Sequence, residues 1–414
     1  MKQGAVIETL LALLGLGVFG ASHAANDIGG QTRPSWTEQG NNPNSPLAQA
    51  AALDPAITTL PRSGATLETE LRASGHGLSG TVTLQQQRLE VTAAVRKAWV
   101  NELYAATGSA GWQFSAGQRI VAWDVGYGFR PNDVVQQETR RTLLTNTAEG
   151  RPLLMAEYFD ASTAWSFVAV NPTKPHAQRG AEEPAFAARL YQREGSVDWH
   201  GFARYGAQTG GSVGAAAAWV ANDALELHAS LRYLNAADST AIEPGAASLV
   251  RRNPWSDATV HHATQLLVGG TWTNAEQLSI LAEAWWDGTA LSDAQWNDWN
   301  VRNRQLAAQV RTPAPAGAVA GNLAWQASAF GASSNLHRTN LFMRVSWTLD
   351  KWQPALDILY TPADAGRTVT ASLGWQGDRV RVDAGLRLYG GPGDAVFAQL
   401  PARRIAYVAA TWSF

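Results

Sequence analysis

Two sets of residues in this sequence have types and spacings that suit chemistry, and they suit different kinds. Ser256, Asp257, His261 and His262 fall in one segment and supply a hydroxyl, a carboxylate and two imidazoles, the groups an acyl-transfer site needs. Adjacent histidines in an extended chain point to opposite sides, and no further ligands stand at a spacing that would complete a metal site. Nothing else resembles a nucleophile motif, a phosphate loop or a nucleotide fingerprint. The expectation is therefore no enzyme, with no catalytic residue, no metal and no cofactor. The second set is larger. Arg379, Arg381, Asp383 and Arg387 recur at every second position and alternate with Val380, Val382, Ala384, Leu386 and Leu388. Charges repeated in twos form a polar wall rather than a catalytic pair, and a wall rich in arginine favours anions if it lines a pore.

A period of two belongs to strands that are apolar on one face and wet on the other. The same pattern runs through Arg367–Gln376, through Glu226–Tyr233 and through Leu278–Trp286. In a soluble sandwich the apolar face meets a second sheet; in a membrane barrel it meets lipid, and the charged face lines the lumen. Three features favour the barrel. Trp112, Trp123, Trp199, Tyr233, Trp272, Trp285, Trp286, Trp347, Trp375 and Tyr389 cluster at strand ends, where amphipathic rings sit at lipid headgroups. Tight links such as Gly108–Gly111, Thr273–Ala275 and Gly377–Asp378 alternate with long ones near 125–150, 235–262 and 288–302. The final strand carries Ala406, Val408, Ala410, Trp412 and Phe414 on one face, an ending that suits recognition by the barrel assembly machinery.

Composition and the first residues agree. Of 414 residues 16% are charged, the net charge is −2 and there is no cysteine, which excludes disulfides and thiolate metal sites and gives no reason to expect nucleic acid as a partner. Lys2 precedes an apolar stretch, Thr9–Gly20, and Ser22-His23-Ala24 offers small residues at the two positions a signal peptidase reads. The expected organisation is a cleaved signal peptide over 1–24, a flexible periplasmic or plug segment over 25–64, and an outer-membrane β-barrel over 65–414. Past the N-terminus no apolar run reaches the roughly 20 residues of a membrane helix.

Residues 117–133, GQRIVAWDVGYGFRPND, form the most distinctive stretch. A strand bearing Trp112, Phe114, Ala116, Ile120 and Ala122 on one face runs into a loop rich in Gly, Pro and charge. Here the chain resembles a poorly characterised family of porin-like Gram-negative outer-membrane barrels, in which a strand of pattern G-[KRQ]-x-x-x-x-W-G/D precedes a loop with F-x-P-x-D. Asp124 stands where many relatives have Gly. The resemblance covers this stretch closely and the rest of the chain only by pattern. It implies an outer-membrane barrel and a passage for solutes, without naming a solute.

Alternating segments between 65 and 414, among them 79–88, 163–171, 303–311 and 321–330, come to an odd number. Both termini of a bacterial barrel face the periplasm, so the number must be even. The fold expected is an all-β, antiparallel transmembrane barrel of about 18 strands, with 16–20 as the range. Candidate pore-lining residues are Arg119, Asp124, Arg130, Asp133, Arg204, Arg232, Glu283, Arg344, Arg381, Asp383 and Arg387. The loop after Trp123 is either a constriction or a segment pinned to the wall by Asp–Arg pairs. Ser292 caps a short helix with Trp296 and Trp299 at i, i+3, which pack against the rim or stack on sugars. The expected function is passive diffusion of small polar solutes, with anions preferred, across the cell outer membrane. Outer-membrane lipid and lipopolysaccharide are expected neighbours. A non-conducting barrel with a structural, adhesion or secretion-partner role is the alternative.

Overall fold

A computed structural model describes residues 27–90, 92–137, 148–243, 253–331 and 334–414; the expected signal peptide lies outside the described residues. The strands are β1 (Asp27–Asn41), β2 (Ser63–Gly75), β3 (Leu78–Leu89), β4 (Val95–Ser109), β5 (Trp112–Arg119) and β6 (Arg151–Phe159). They continue with β7 (Thr163–Val170), β8 (Ala185–Glu194), β9 (Val197–Gly206), β10 (Gly210–Asn222), β11 (Leu225–Ile242) and β12 (Trp255–Thr273). The last are β13 (Leu278–Asp287), β14 (Thr339–Trp347), β15 (Trp352–Thr361), β16 (Gly366–Gln376), β17 (Val380–Gly390) and β18 (Ala402–Ser413). Each pairs antiparallel with its neighbours in sequence, and β1 pairs with both β2 and β18, which closes an 18-stranded barrel.

One end of the barrel carries tight turns. His76-Gly77 and Ala110-Gly111 have positive φ at both central residues (53° and 78°, 52° and 83°), the backbone that suits the twist of a hairpin. The other end carries the long connections from β1 to β2, from β5 to β6 and from β13 to β14. Outside, alternate positions such as Leu341, Leu356, Leu373, Leu386, Leu388 and Val408 are exposed. With no second sheet to cover it, that apolar belt is the surface of a barrel that sits in lipid. Trp112, Trp165, Trp199, Trp219, Trp272, Trp347, Trp352 and Trp412 are exposed within a few residues of the turn end, as an interfacial girdle. Trp123, Trp285 and Tyr389 do not belong to it: the first two are buried, and Tyr389 stacks on Phe397 at 6.5 Å.

The strand number matches the expectation through compensating differences. Residues 27–41 are not a plug or a periplasmic tail; they are β1, in the barrel wall. Their alternation is hidden because small and polar residues occupy both faces, and Pro34 interrupts them. Pro34 has no N–H to donate, and the register with β18 is the same on either side of it, at Thr32↔Trp412 and Ser35↔Ala409, with no partner pair at Arg33 or Pro34 themselves. Conversely, 303–311 and 321–330 are not strands. They fall on helix α2 (Asp293–Gln309) and on helix α3 (Ala316–Gln326) with the 3-10 turn Ala327–Gly331 that follows it. The Ser292–Gln295 capping box starts α2, and nothing breaks the helix before Gln309. The strand expected over 111–123 ends at Arg119. The loop expected over 235–262 is mostly hairpin, since β11 and β12 stay paired out to Ile242↔Trp255.

A third helix, α1 (Pro46–Leu53), belongs to the β1–β2 loop and meets α2 and α3 at the loop end, where Ala50, Leu306, Val319, Ala320 and Leu323 form one apolar cluster. Trp296 and Trp299 are buried and donate to the carbonyls of Leu336 (2.6 Å) and Gln326 (2.9 Å); they anchor the long loop and are not available for stacking on sugars. Asp364, in the β15–β16 link, ties this rim together. It accepts from His337 Nε2 (2.8 Å), the Thr361 hydroxyl (2.7 Å) and the backbone N–H groups of Gly366 and Val396, each at 2.8 Å. Burial opposes its ionisation, yet these donors win and hold its pKa at about 2.

Two consequences are measurable. The folded pKa of Asp364 lies below its ordinary value, so its contribution to stability is complete above about pH 4 and is lost as pH falls from there toward 2. Asp364→Asn should therefore cost on the order of 1–2 kcal/mol at neutral pH and flatten the acid limb of a thermal melting series. Leu386→Arg, on the lipid face, should cost about 2–4 kcal/mol in unfolding titrations from lipid vesicles; an unchanged midpoint would mean that Leu386 does not meet hydrocarbon.

Candidate functional site

Past Arg119 the chain leaves the wall and folds into the lumen. Gly117, at φ 134°, marks the departure, passing so close to Leu103 and Tyr104 of β4 that a side chain there would collide. Residues 120–137 then lie against the inner face of the barrel. One side of this loop is apolar: Val121, Trp123, Val134 and Val135 pack on Leu153, Met155, Val168, Ala187, Phe202 and Ala216, which project inward from β6 to β10. These strands read as apolar on both faces because one face meets the outside and the other meets the loop.

The other side of the loop is held by polar groups. Glu283 of β13 accepts the backbone N–H groups of Tyr127 and Gly128, both at 2.7 Å, and contacts His228 Nε2 of β11 at 3.0 Å. Asp124 accepts from Asn132 N–H (2.6 Å), Val125 N–H (2.9 Å) and the Ser230 hydroxyl (2.7 Å). Burial nevertheless outweighs these bonds and the nearby Arg130, and pushes the Asp124 carboxyl above the usual carboxylate range. Arg232 donates to the Pro131 carbonyl (3.0 Å) and the Ser212 hydroxyl (2.9 Å), with Asp124 and Asp133 close enough to act on its charge. Arg204 donates to the Val134 carbonyl (3.0 Å) and pairs with Glu183 (3.1 Å). Burial raises the cost of a charge at Glu183, but donation from Thr209, Gln208 and Arg204 leaves its pKa lowered. Arg130 turns back on the Gly126 carbonyl (2.8 Å). Asn132 donates to Ser230 and to the carbonyls of Ala215 and Leu231. It reaches the wall because Gly214 has no side chain; a Cβ there would overlap its Oδ1.

Asp124, Arg130, Asp133, Arg204, Arg232 and Glu283 thus converge on this loop and its docking surface. Arg119 lies beside Glu157 (3.5 Å) and over the Tyr104 ring. The remaining candidates form a second group on the opposite wall: Arg344 pairs with Asp357 (2.9 Å), Arg381 with Asp383 (2.8 Å), and Arg387 donates to the Thr370 hydroxyl (2.9 Å). The two groups differ in access. The side chains of Glu283 and Arg204 are 0% and 2% exposed, whereas those of Arg344 and Arg381 are 30% and 40% exposed. Charges of the first kind fix a loop; those of the second face open space. Sequence reading did not single out Asn132, Ser230, Tyr127 or Asp357. The doublet of glycines around Tyr127 was the available signal, since it marks a backbone that another chain segment approaches closely. Of the weighed hydrolase set, Ser256 and Asp257 pair with Ala241 and Thr240 in the β11–β12 hairpin, and His262 bonds the Tyr233 hydroxyl at 2.6 Å.

No family model and no curated protein matches the chain. Among solved structures, Acinetobacter baumannii OccAB1 aligns over 94% of this chain and 96% of its own at 8% identity, with a TM-score of 0.53. An E1M, A116K mutant of the Rhodopseudomonas blastica porin aligns over 94% of this chain and 100% of its own at 9% identity, with a TM-score of 0.44. At the level of fold, this is a porin-like barrel. In this barrel the inward loop owes its position to Glu283 and Asp124. Glu283→Ala should accelerate amide hydrogen exchange at Tyr127 and Gly128 by roughly tenfold or more, the loss expected for a charged acceptor of two N–H groups, while exchange in β15–β17 stays unchanged.

Proposed function

We propose that the protein is an outer-membrane channel for passive passage of small polar solutes, with a weak preference for anions. The observation that carries this reading is the unequal wetting of the lumen wall. The inward loop covers the face formed by β6 to β13, while charged residues on the opposite side keep their side chains accessible, up to 55% for Arg72. A polar passage bounded by the loop on one side and by this wall on the other is what a diffusion channel requires. Its asymmetry of tight turns and long loops suits turns in the periplasm and loops outside, with lipopolysaccharide around the loop end. Phe414 exchanges hydrogen bonds with Gly30 at 3.0 and 2.9 Å, which leaves its aromatic ring at the outer surface near the turn end, where assembly machinery would meet it.

The sign of the selectivity follows from pairing. On the accessible wall Arg33, Arg72, Arg344 and Arg381 each face a carboxylate, namely Glu68, Glu70, Asp357 and Asp383. Arg387 faces a hydroxyl instead. The excess is small and positive, so anions gain modestly. In planar bilayers under a potassium chloride gradient, the reversal potential should have the sign of anion preference, and Arg387→Gln should move it toward zero. Cation selectivity would overturn the anionic reading. A flat current from folded protein would favour the non-conducting structural barrel, to which the three helices packed at the loop end lend support.

A further inference from the structure

Arginines stand on both faces of the barrel wall, and the two faces treat them differently. Inside, Arg33, Arg72, Arg204, Arg344 and Arg381 each pair with a carboxylate at 3.1 Å or less. Outside, Arg88, Arg96, Arg367 and Arg404 are exposed, and their side chains make no hydrogen bond or ion pair among the described residues. Register fixes their direction. Arg88 of β3 shares its face with the exposed Leu84, and its partner Ala65 shares one with the exposed Leu67. Arg96 of β4 faces Gln86, and Ala98 and Val100 follow it on the same side. Arg404 of β18 faces the exposed Leu388, and Arg367 of β16 alternates with Val369, Ala371 and the exposed Leu373.

Their height is common as well. Arg88, Arg367 and Arg404 stand nine or ten residues from the turn end of their strands, and Arg96 stands 13. A tilted strand crosses the hydrocarbon in about 9–11 residues, so all four lie where the apolar belt ends on the loop side. Arg88 and Arg96 are diagonal neighbours across the β3–β4 ladder, roughly 7–8 Å apart, and like charges so placed repel. The fold supplies them no counter-ion. Glu90, two residues beyond Arg88, instead accepts the backbone N–H of Arg62 at 3.0 Å, and Glu38, opposite Ala406 on β1, pairs with no described arginine. Arg404 lies flat across β1, since a Cβ at Gly40 would come within 2.9 Å of its Cγ and Nε.

We propose that this rim of the outer wall docks phosphorylated lipid headgroups, with Arg88 and Arg96 holding one phosphate and Arg367 and Arg404 meeting others farther round. Guanidinium donors suit phosphate oxygens, and the acyl chains beneath such a phosphate fall on Leu84, Leu67 and Leu388. A soluble anion would have no use for that apolar floor, so the occupant is a lipid of the leaflet at the loop end. There the phosphates of lipopolysaccharide are the ones available. The surface rests on the outer-membrane reading, with loops outside, and it owes nothing to the lumen, so its test is separate from conduction.

Native mass spectrometry of the full chain in detergent, titrated with lipid A and with lipid A stripped of its phosphates, decides the matter. The phosphorylated form should bind roughly tenfold more tightly or better. Arg88→Gln combined with Arg96→Gln should weaken it by roughly twentyfold, and Arg404→Gln by about fivefold. Arg379→Gln, at the turn end, should change nothing, and inorganic phosphate should not compete. Sheet circular dichroism and heat-dependent gel mobility check that each variant is folded, and the two single replacements serve if the double one is not. Equal binding of the two lipids, full binding by the double variant, or displacement by inorganic phosphate would overturn the docking surface. Conductance of the double variant should equal that of the wild type. A barrel that prefers the phosphorylated lipid but carries no current keeps the surface and loses the channel; a conducting barrel without that preference does the reverse.

Discussion

Hydrocarbon offers no partner for a hydrogen bond, so a sheet exposed to lipid must pair every backbone N–H and C=O within itself. A row of strands always ends in two unpaired edges unless the first meets the last. In this protein the meeting is between β1 and β18, in one register from Gln31↔Ser413 to Gly40↔Arg404, with a one-residue shift before Asn41↔Ala402. Everything else in the molecule presupposes that contact. Strand β1 is polar and weakly patterned; alone it would have little reason to be a strand. It is held because both of its edges find partners, β2 on one side and β18 on the other.

Closure also separates two solvents, and the pattern of twos then acquires a meaning. Outward positions are chosen for lipid and end in a Trp girdle. Inward positions are free to carry charge, and the protein uses that freedom in two ways. Over β9 to β13 the inward Arg, Glu, Ser and His side chains serve as a socket for the inward loop, with Arg204, Arg232 and Glu283 bonding its backbone and Ser230 bonding Asp124 and Asn132. Backbone N–H and C=O groups carried into the lumen without strand pairing need such partners. Over β14 to β18 and β1 to β2 the inward charges meet mainly one another and water. The same residue types, with the same period, thus hold a loop on one wall and line a passage on the other.

Much of the barrel was legible because lipid imposes a strict local rule on each strand, and a local rule leaves a trace in sequence. The alternation in β16, β17 and β18 needs no knowledge of the rest of the fold. The misreadings have a common origin as well. For β1 the signal was weak because neighbours outweighed its own side chains. For 303–311 and 321–330, short runs of small and apolar residues fit a strand or a helix equally, and the capping box at Ser292 was the better guide. The site was legible in part. The Gly- and Pro-rich stretch after Trp123 announced a loop with unusual backbone demands, and its charges were visible, but their partners lie up to about 150 residues away.

By itself, the sequence determined that strands would alternate between an apolar and a charged face, that they would be joined by turns at one end and loops at the other, and that a special loop follows Trp123. Those properties depend on residues a few positions apart. Only the tertiary structure decided that residues 27–41 complete the wall, that the loop turns inward, and that Glu283 holds the backbone at Tyr127 and Gly128 in place. Such contacts join residues that the chain separates widely, and they exist only once the barrel has closed and given the lumen an inside.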